Sequence, residues 1–450
     1  MKLVSSGTAA AVTAALTVGL ASAAVAAAPA RPVTPQVAAP AAVKAAKPGD
    51  FNGDGYRDLA VGAPDAKVGK AAKAGAVAVA YGSKKGVSTA RRQVISQNSA
   101  GIPGTAEKGD HFGAQLAVGD FNRDGYSDLA IGAPGEDIGK KKDAGSLTVV
   151  FGSKKGLSTK AVSVDAVGGA KLTAGDFDKD GRTDFATAAG YGTKIWVVRG
   201  TTSAKPRAVG ISPGKDGHVD SLAAGDVTGD GYADLAVSWW WDDPADQGTT
   251  SVFAGSAKGL GKKVGPTIEL GDTYGLAVGD LNKDGRADVV IGGYEGDGYK
   301  VYPGSKNGMD QAHGTFGSEG SDPVAAGDVN GDGYADVASG LSPEDGPEDL
   351  VATRLGSASG LSSNIRTLTE TNAGITPNQN NWFGTSLALT DLNGDGRAEL
   401  VTGIPGLGDF AGAVAVTPGT TSGIATTGTK LIKASAFGFG AGARFGTLPR

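Results

Sequence analysis

Short apolar runs recur along the chain, each directly behind a polar, glycine-bearing loop: Leu59-Ala-Val61, Leu129-Ala-Ile131, Leu235-Ala-Val237 and Val289-Val-Ile291. A second run follows at a variable distance, as in Gly75-Ala-Val-Ala-Val-Ala-Tyr81 and Ser146-Leu-Thr-Val-Val-Phe151, and leads into Gly-Ser/Thr-x-x-Gly. Runs this short, bounded by turn residues, predict strands, and no segment sustains a helical period. Gly82-Ser-Lys-Lys-Gly86, Gly152-Ser-Lys-Lys-Gly156, Gly255-Ser-Ala-Lys-Gly259, Gly304-Ser-Lys-Asn-Gly308, Gly356-Ser-Ala-Ser-Gly360 and Gly419-Thr-Thr-Ser-Gly423 read as hairpin turns, with Gly200-Thr-Thr-Ser a degenerate copy. A further strand such as Gln93-Val-Ile-Ser96 follows the turn. The first strand of the next unit then runs into the next polar loop, as in Phe112 to Asp120.

The unit occurs seven times, and such periodicity outranks any local signal. Four strands per unit and seven units predict an all-β, seven-bladed β-propeller of four-stranded blades over residues 49–450.

The polar loops share one nine-residue pattern. Position 1 is Asp50, Asp120, Asp176, Asp226, Asp280, Asp328 or Asp391, and position 3 is Asn52, Asn122, Asp178, Thr228, Asn282, Asn330 or Asn393. Position 5 is Asp54, Asp124, Asp180, Asp230, Asp284, Asp332 or Asp395, and position 9 is Asp58, Asp128, Asp184, Asp234, Asp288, Asp336 or Glu399. Position 6 is always Gly, which permits a sharp turn. Hard cations such as Ca2+ take about six to eight oxygens from carboxylates, amides and backbone carbonyls, so the pattern predicts up to seven Ca2+ sites, position 7 adding its carbonyl. Almost half of the 47 acidic residues sit in these loops, and a cation relieves their repulsion. An EF-hand needs Glu at position 12 and flanking helices. Val61, Ile131, Thr187, Val237, Ile291, Ser339 and Thr402 stand there instead. The third loop, with four acids, is expected to bind most tightly. Thr228 offers the poorer hydroxyl ligand, and Glu399 the longer reach.

Residues 1–28 read as a secretory signal: Lys2, an Ala/Val/Leu run, and small residues at Ala24, Ala26 and Ala28. Residues 29–48, rich in Ala and Pro, read as a linker. The Ala-rich start falls short of a membrane span. The formal net charge is −5 with no basic stripe, which excludes nucleic acid as the expected partner. There is no Cys; in a secreted chain, metal ions in the turns would take the place of disulfides as staples.

These elements resemble the FG-GAP repeat family, known from the N-terminal propellers of integrin α subunits, here in a secreted protein of bacterial type. Phe112-Gly113 and Phe383-Gly384 match the FG, Gly62-Ala-Pro64 and Gly132-Ala-Pro134 the GAP, and the acidic loop lies between them. The third to sixth units lack a clear FG and GAP. Phe445-Gly446 reads as an eighth FG without a loop behind it, while the first loop has no FG before it. The C-terminal tail is therefore expected to close the ring on the first blade, leaving open whether the tail or residues 43–49 form the innermost strand.

The resemblance implies acidic loops on one face and ligand-choosing loops on the other. Those loops are residues 65–74, 135–144, 239–249, 293–298 and 342–349, joined by 98–110 and 372–381. Trp239, Trp240 and Trp241, in the third of them, are candidates for stacking on a sugar or anchoring a protein partner; the alternative is that they pack between blades. The function expected is binding or adhesion to an extracellular protein or polysaccharide. The alternative is an extracellular hydrolase or lyase on the same scaffold. Gly210-Ile-Ser-Pro-Gly214 matches G-x-S-x-G without the helix that motif needs, and no catalytic constellation stands out.

Overall fold

The computed structural model describes residues 46–190, 192–201, 208–211, 217–241, 248–270, 273–293, 298–316, 321–341 and 348–449. The signal expected over 1–28 and the linker up to residue 45 lie outside them. All described residues belong to one compact unit, Val43–Arg450.

Among the described residues seven antiparallel sheets of three or four strands form the blades of a seven-bladed β-propeller, and two small two-stranded sheets lie in hairpin turns. In the second blade Gln115–Gly119, Asp128–Ala133, Ser146–Val150 and Ala161–Asp165 pair in chain order from the inside outward. The units without a clear FG obey the same plan, beginning at Lys171–Gly175, Gly217–Gly225, Thr273–Gly279 and Ser321–Gly327. Innermost strands of consecutive blades touch. Second strands are buried along all or nearly all of their length, wholly so in Leu59–Ala63 and Asp184–Ala188, because a neighbouring blade covers each face. Their continuous small apolar sequence, without alternation, is what burial on both faces requires. The outermost strand Ser88–Ile95 meets solvent and is largely polar.

The two motifs of the repeat meet at each seam. The backbone N–H at loop position 8 donates to the position-1 carbonyl of the preceding loop: Ser127 to Asp50 (3.0 Å), Thr183 to Asp120 (2.8 Å), Ala233 to Asp176 (3.1 Å), Ala287 to Asp226 (2.8 Å), Ala335 to Asp280 (2.9 Å) and Ala398 to Asp328 (2.7 Å). Position 2, from Phe51 and Phe121 round to Leu392, is apolar and fully buried, anchoring its loop in the core. The first Gly of each hairpin turn sits between two carbonyls. A Cβ on Gly152 would come within 2.2 Å of Ser127 O and 2.9 Å of Phe51 O, the latter in the preceding blade. This contact also crosses the seventh seam, where a Cβ on Gly82 would meet Arg57 O at 2.1 Å and Leu392 O at 3.1 Å.

The tail closes the ring, as the sequence suggested. It bridges Gly412 through Phe445, Gly62 through Thr447 and Leu116 through Pro449. Gly62 N donates to Thr447 O at 2.8 Å, and Gly446 N to Gly62 O at 3.0 Å. The first blade has three strands of its own, Leu59–Ala63, Ala76–Tyr81 and Ser88–Ile95; the tail takes the innermost place. Phe445 and Leu448 are buried in a core shared by Val61 and Ala78 of the first blade and Val401 and Val414 of the seventh. Replacing Phe445 with Ala is expected to cost about 3 kcal/mol or more, the usual cost of emptying a buried Phe site. Urea unfolding measures it; a loss below about 1 kcal/mol would show that the tail does not hold the ring.

Candidate metal centre

Each acidic loop is shaped by its own backbone. In the first, Asp50 Oδ1 accepts from Asp54 N (3.1 Å) and Oδ2 from Gly55 N (2.9 Å). Asn52 Oδ1 accepts from Asp54 N at 3.0 Å, and Asp54 Oδ1 from Tyr56 N at 3.1 Å. The same bonds recur in the second loop among Asp120, Asn122, Asp124 and Tyr126. They also recur in the fifth among Asp280, Asn282, Asp284 and Arg286. These bonds fold the side chains at positions 1, 3 and 5 inward around the turn.

Two positions in each loop are left-handed. Gly at position 6 was legible from the sequence; position 4 was missed. It is Gly53, Gly229, Gly331 or Gly394 in four loops, but Arg123, Lys179 and Lys283, at φ 58°, 56° and 61°, in the others. A left-handed non-glycine costs roughly 1–2 kcal/mol. Their side chains reach the next loop: Arg123 Nη1 donates to Asp180 O at 2.8 Å, Lys283 Nζ to Asp332 O at 3.0 Å and Lys179 Nζ to Asp230 O at 3.4 Å.

Position 9 is the buried end of the site. Asp128 Oδ2 accepts from Phe121 N (2.8 Å) and Oδ1 from Gly152 N (2.8 Å), tying the loop to the hairpin turn of its own blade. Asp58, Asp184, Asp288 and Asp336 make the same pair of bonds, to position 2 and to the turn glycine. Asp234 takes Thr228 N in place of position 2. Glu399 departs further. Its longer side chain accepts from Leu392 N at 2.8 Å and Asn393 Nδ2 at 2.6 Å within its own loop.

Burial pushes these carboxyls up: Asp58, Asp184, Asp336 and Glu399 to about 7, Asp128 to about 8, Asp288 to about 6, and Asp234 in the same direction. The backbone donors oppose the shift without cancelling it, and neighbouring loop acids add to it.

The donor set fits a hard cation. Asp176, Asp178 and Asp184 each offer a carboxylate oxygen, all within 4.8 Å of one another. Oxygens at about 2.3–2.6 Å from a common centre lie this far apart. In the fourth loop Thr228 Oγ1 is buried without a well-formed hydrogen bond, although it faces the Asp234 carboxylate; a cation would satisfy it. Part of the third loop's extra charge is paired within the chain. Asp178 pairs with Arg199 at 3.3 Å and Asp180 with Arg182 at 2.9 Å, and the converging trio omits Asp180.

Trp239, Trp240 and Trp241 do not form a loop. They end the strand Asp234–Trp241, pairing with Gly217–Val219, and Trp239 and Trp240 pair with Thr249 and Gly248 on the other side. The strand runs on where other units place their GAP. Trp239, 3% exposed, belongs to the buried cluster that also holds Phe177, Ala186 and Val237. Half-buried Trp240 lies beside His218, ring centroids 6.2 Å apart. The remainder of that expected loop, residues 242–247, lies outside the described residues.

The FG-GAP repeat matches residues 48–79, 112–150 and 383–417, and the FG-GAP-like repeat residues 176–237 and 280–339. The chain belongs to the FG-GAP repeat family. Among its relatives, phosphatidylinositol-glycan-specific phospholipase D of Mus musculus is 35% identical over 149 residues, 32% of this chain and 17% of that protein. Integrin alpha-PS2 of Drosophila melanogaster is 26% identical over 268 residues, 55% of this chain and 15% of that one. Integrin alpha-IIb of Mus musculus is 32% identical over 163 residues, 33% and 15% of the two chains. The matches thus span less than a fifth of these relatives' length. Among the described residues no helix is long and apolar enough to cross a membrane.

A pH dependence follows from position 9. With folded pKa values above the ordinary carboxylate range, the cation-free folded chain holds more protons than the unfolded chain from about pH 4 to 8. Its stability is therefore greatest at the acid end of that window and falls as pH rises through about 6 to 8. Thermal unfolding of metal-stripped protein between pH 5 and 8.5 checks the sign; a melting temperature that climbs with pH would contradict it.

Proposed function

We propose that the protein is a secreted calcium-binding β-propeller that holds an extracellular protein or polysaccharide ligand on the face opposite the acidic loops. The convergence of Asp176, Asp178 and Asp184 carries the cation part of this reading, with Asp50, Asp120, Asp226, Asp280, Asp328, Asp391 and their loop partners as the equivalent ligands. Calcium supplies positive charge that the crowded carboxylates lack; the chain's own residues supply the turn, the buried anchor and the seam. The Ca2+ requirement is assigned to stiffness rather than chemistry, because the ligand oxygens belong to the elements that join blade to blade.

The binding part of the reading is supported by family membership and by the similarity to integrin alpha subunits. Secretion rests on residues 1–28. A second reading, hydrolysis, is favoured by the similarity to phosphatidylinositol-glycan-specific phospholipase D. The two separate in one screen: calcium-dependent capture of a glycan or matrix protein supports binding, and turnover of a phosphatidylinositol glycan supports the enzyme.

Calcium is expected to dominate stability. For Kd near ~0.1 mM and ~1 mM calcium each site adds about 1.4 kcal/mol, and seven independent sites about 10 kcal/mol. Chelation should therefore lower the melting temperature sharply. Because the position-9 carboxyls must ionise to bind, calcium affinity should fall as pH drops from 8 to 6. A melt indifferent to EDTA would overturn the cation reading.

A further inference from the structure

The seven loops differ at position 7, and the difference reaches the ligand at position 5. Position 7 is Tyr56, Tyr126, Tyr232 or Tyr334 in the first, second, fourth and sixth loops, and Arg182, Arg286 or Arg397 in the third, fifth and seventh. Each arginine folds back on the carboxylate two residues before it. Arg182 Nη1 lies 2.9 Å from Asp180 Oδ2, Arg397 Nη2 2.6 Å from Asp395 Oδ2 and Arg286 Nη1 3.7 Å from Asp284 Oδ2. The other oxygen of each carboxylate already accepts the position-7 N–H, at 2.8, 2.9 and 2.9 Å. Both oxygens at position 5 are therefore engaged by the arginine residue.

In two tyrosine loops the corresponding Oδ2 instead accepts a neutral amide of its own loop, Asn122 to Asp124 at 2.9 Å and Asn330 to Asp332 at 2.8 Å. An amide group can turn its oxygen toward a cation, whereas a guanidinium offers donors only. In the first loop Arg91 reaches Asp54 at 3.4 Å, but from the solvent-facing strand Ser88–Ile95. All three position-7 arginines also bury an Nε with no partner. The pose is thus kept at the expense of a donor, which a guanidinium placed only for solubility would not accept.

We infer that Arg182, Arg286 and Arg397 are built-in counter-ions that weaken cation binding in their own loops while keeping those loops folded without a cation. The inference rests on the calcium reading above and deepens it: the three arginine loops take calcium weakly, the second, fourth and sixth loops take it first, and the first loop, whose Asp54 is paired with Arg91, falls between them. Position 7, rather than the number of acids, sets the order. The third loop, the richest in carboxylates, belongs to the weak class, and Arg199 on Asp178 adds to the same effect.

The test exchanges residues the repeat already uses. Arg182→Tyr, Arg286→Tyr and Arg397→Tyr are combined in the full chain, and calcium uptake is followed by equilibrium dialysis and titration calorimetry. Exposed ion pairs of this kind are worth up to about 1 kcal/mol, so the affected sites should tighten roughly two- to fivefold. The weak phase of uptake should merge into the tight one. A second readout does not need bound calcium: in EDTA the triple variant should melt below wild type, since its loops have lost their internal cation. Conversely, Tyr126→Arg should move one site from the tight phase to the weak. Uptake by both proteins with unchanged affinities and equal melts in EDTA would overturn the inference and leave the calcium reading standing. No uptake by either would overturn both.

Discussion

The structure depends on a buried carboxylate that ties two distant turns of the same blade together. Position 9 of each acidic loop lies in the apolar interior; in six of the seven loops it accepts one backbone N–H from the loop itself and one from the hairpin turn that ends the third strand's approach. A buried donor left without its acceptor costs about 1–3 kcal/mol, so this one side chain fixes where the loop sits on its sheet. The neighbouring amide at position 8 then reaches the previous blade. One short sequence thereby sets the turn, the blade and the seam.

A cation reading grows out of this arrangement instead of competing with it. Positions 1, 3 and 5 already have their inner oxygens drawn into the turn by backbone donors, so a bound ion would find the carboxylates pre-gathered and little ordering left to do. The raised pKa values at position 9 express burial first, with the neighbouring loop acids adding to it; without a cation, protons are the available positive charge. Where the sequence supplies arginine at position 7, a fixed positive charge serves in part.

Much of this was legible in the residues. The recurrence of DxNxDG-like loops with an acid at position 9 gave seven blades, and Arg444-Phe-Gly446 without a following loop pointed to the closing tail. Other features were hidden for physical reasons. The left-handed backbone at position 4 was masked because three of its seven occupants are Arg or Lys, held there by carbonyls of the next loop. Trp239 read as a loop residue because the GAP that marks a strand's end elsewhere is missing, and nothing local says that the strand simply continues. The acidic pattern carries no sign that the apolar residue at position 2 anchors the loop in the core. The dual role of position 9 needed the turn glycine, some 16 to 24 residues away, to be seen beside it.

The most direct measurement is the stability of Asp128→Ala against wild type with all divalent cations removed, by urea unfolding in EDTA. If the position-9 carboxylate is a structural tie in its own right, the variant loses about 1–3 kcal/mol even there, because Phe121 N and Gly152 N are left buried without an acceptor. Equal stability of the two proteins in EDTA, with a difference only when calcium is present, would show that the carboxylate serves the cation alone and would contradict this account.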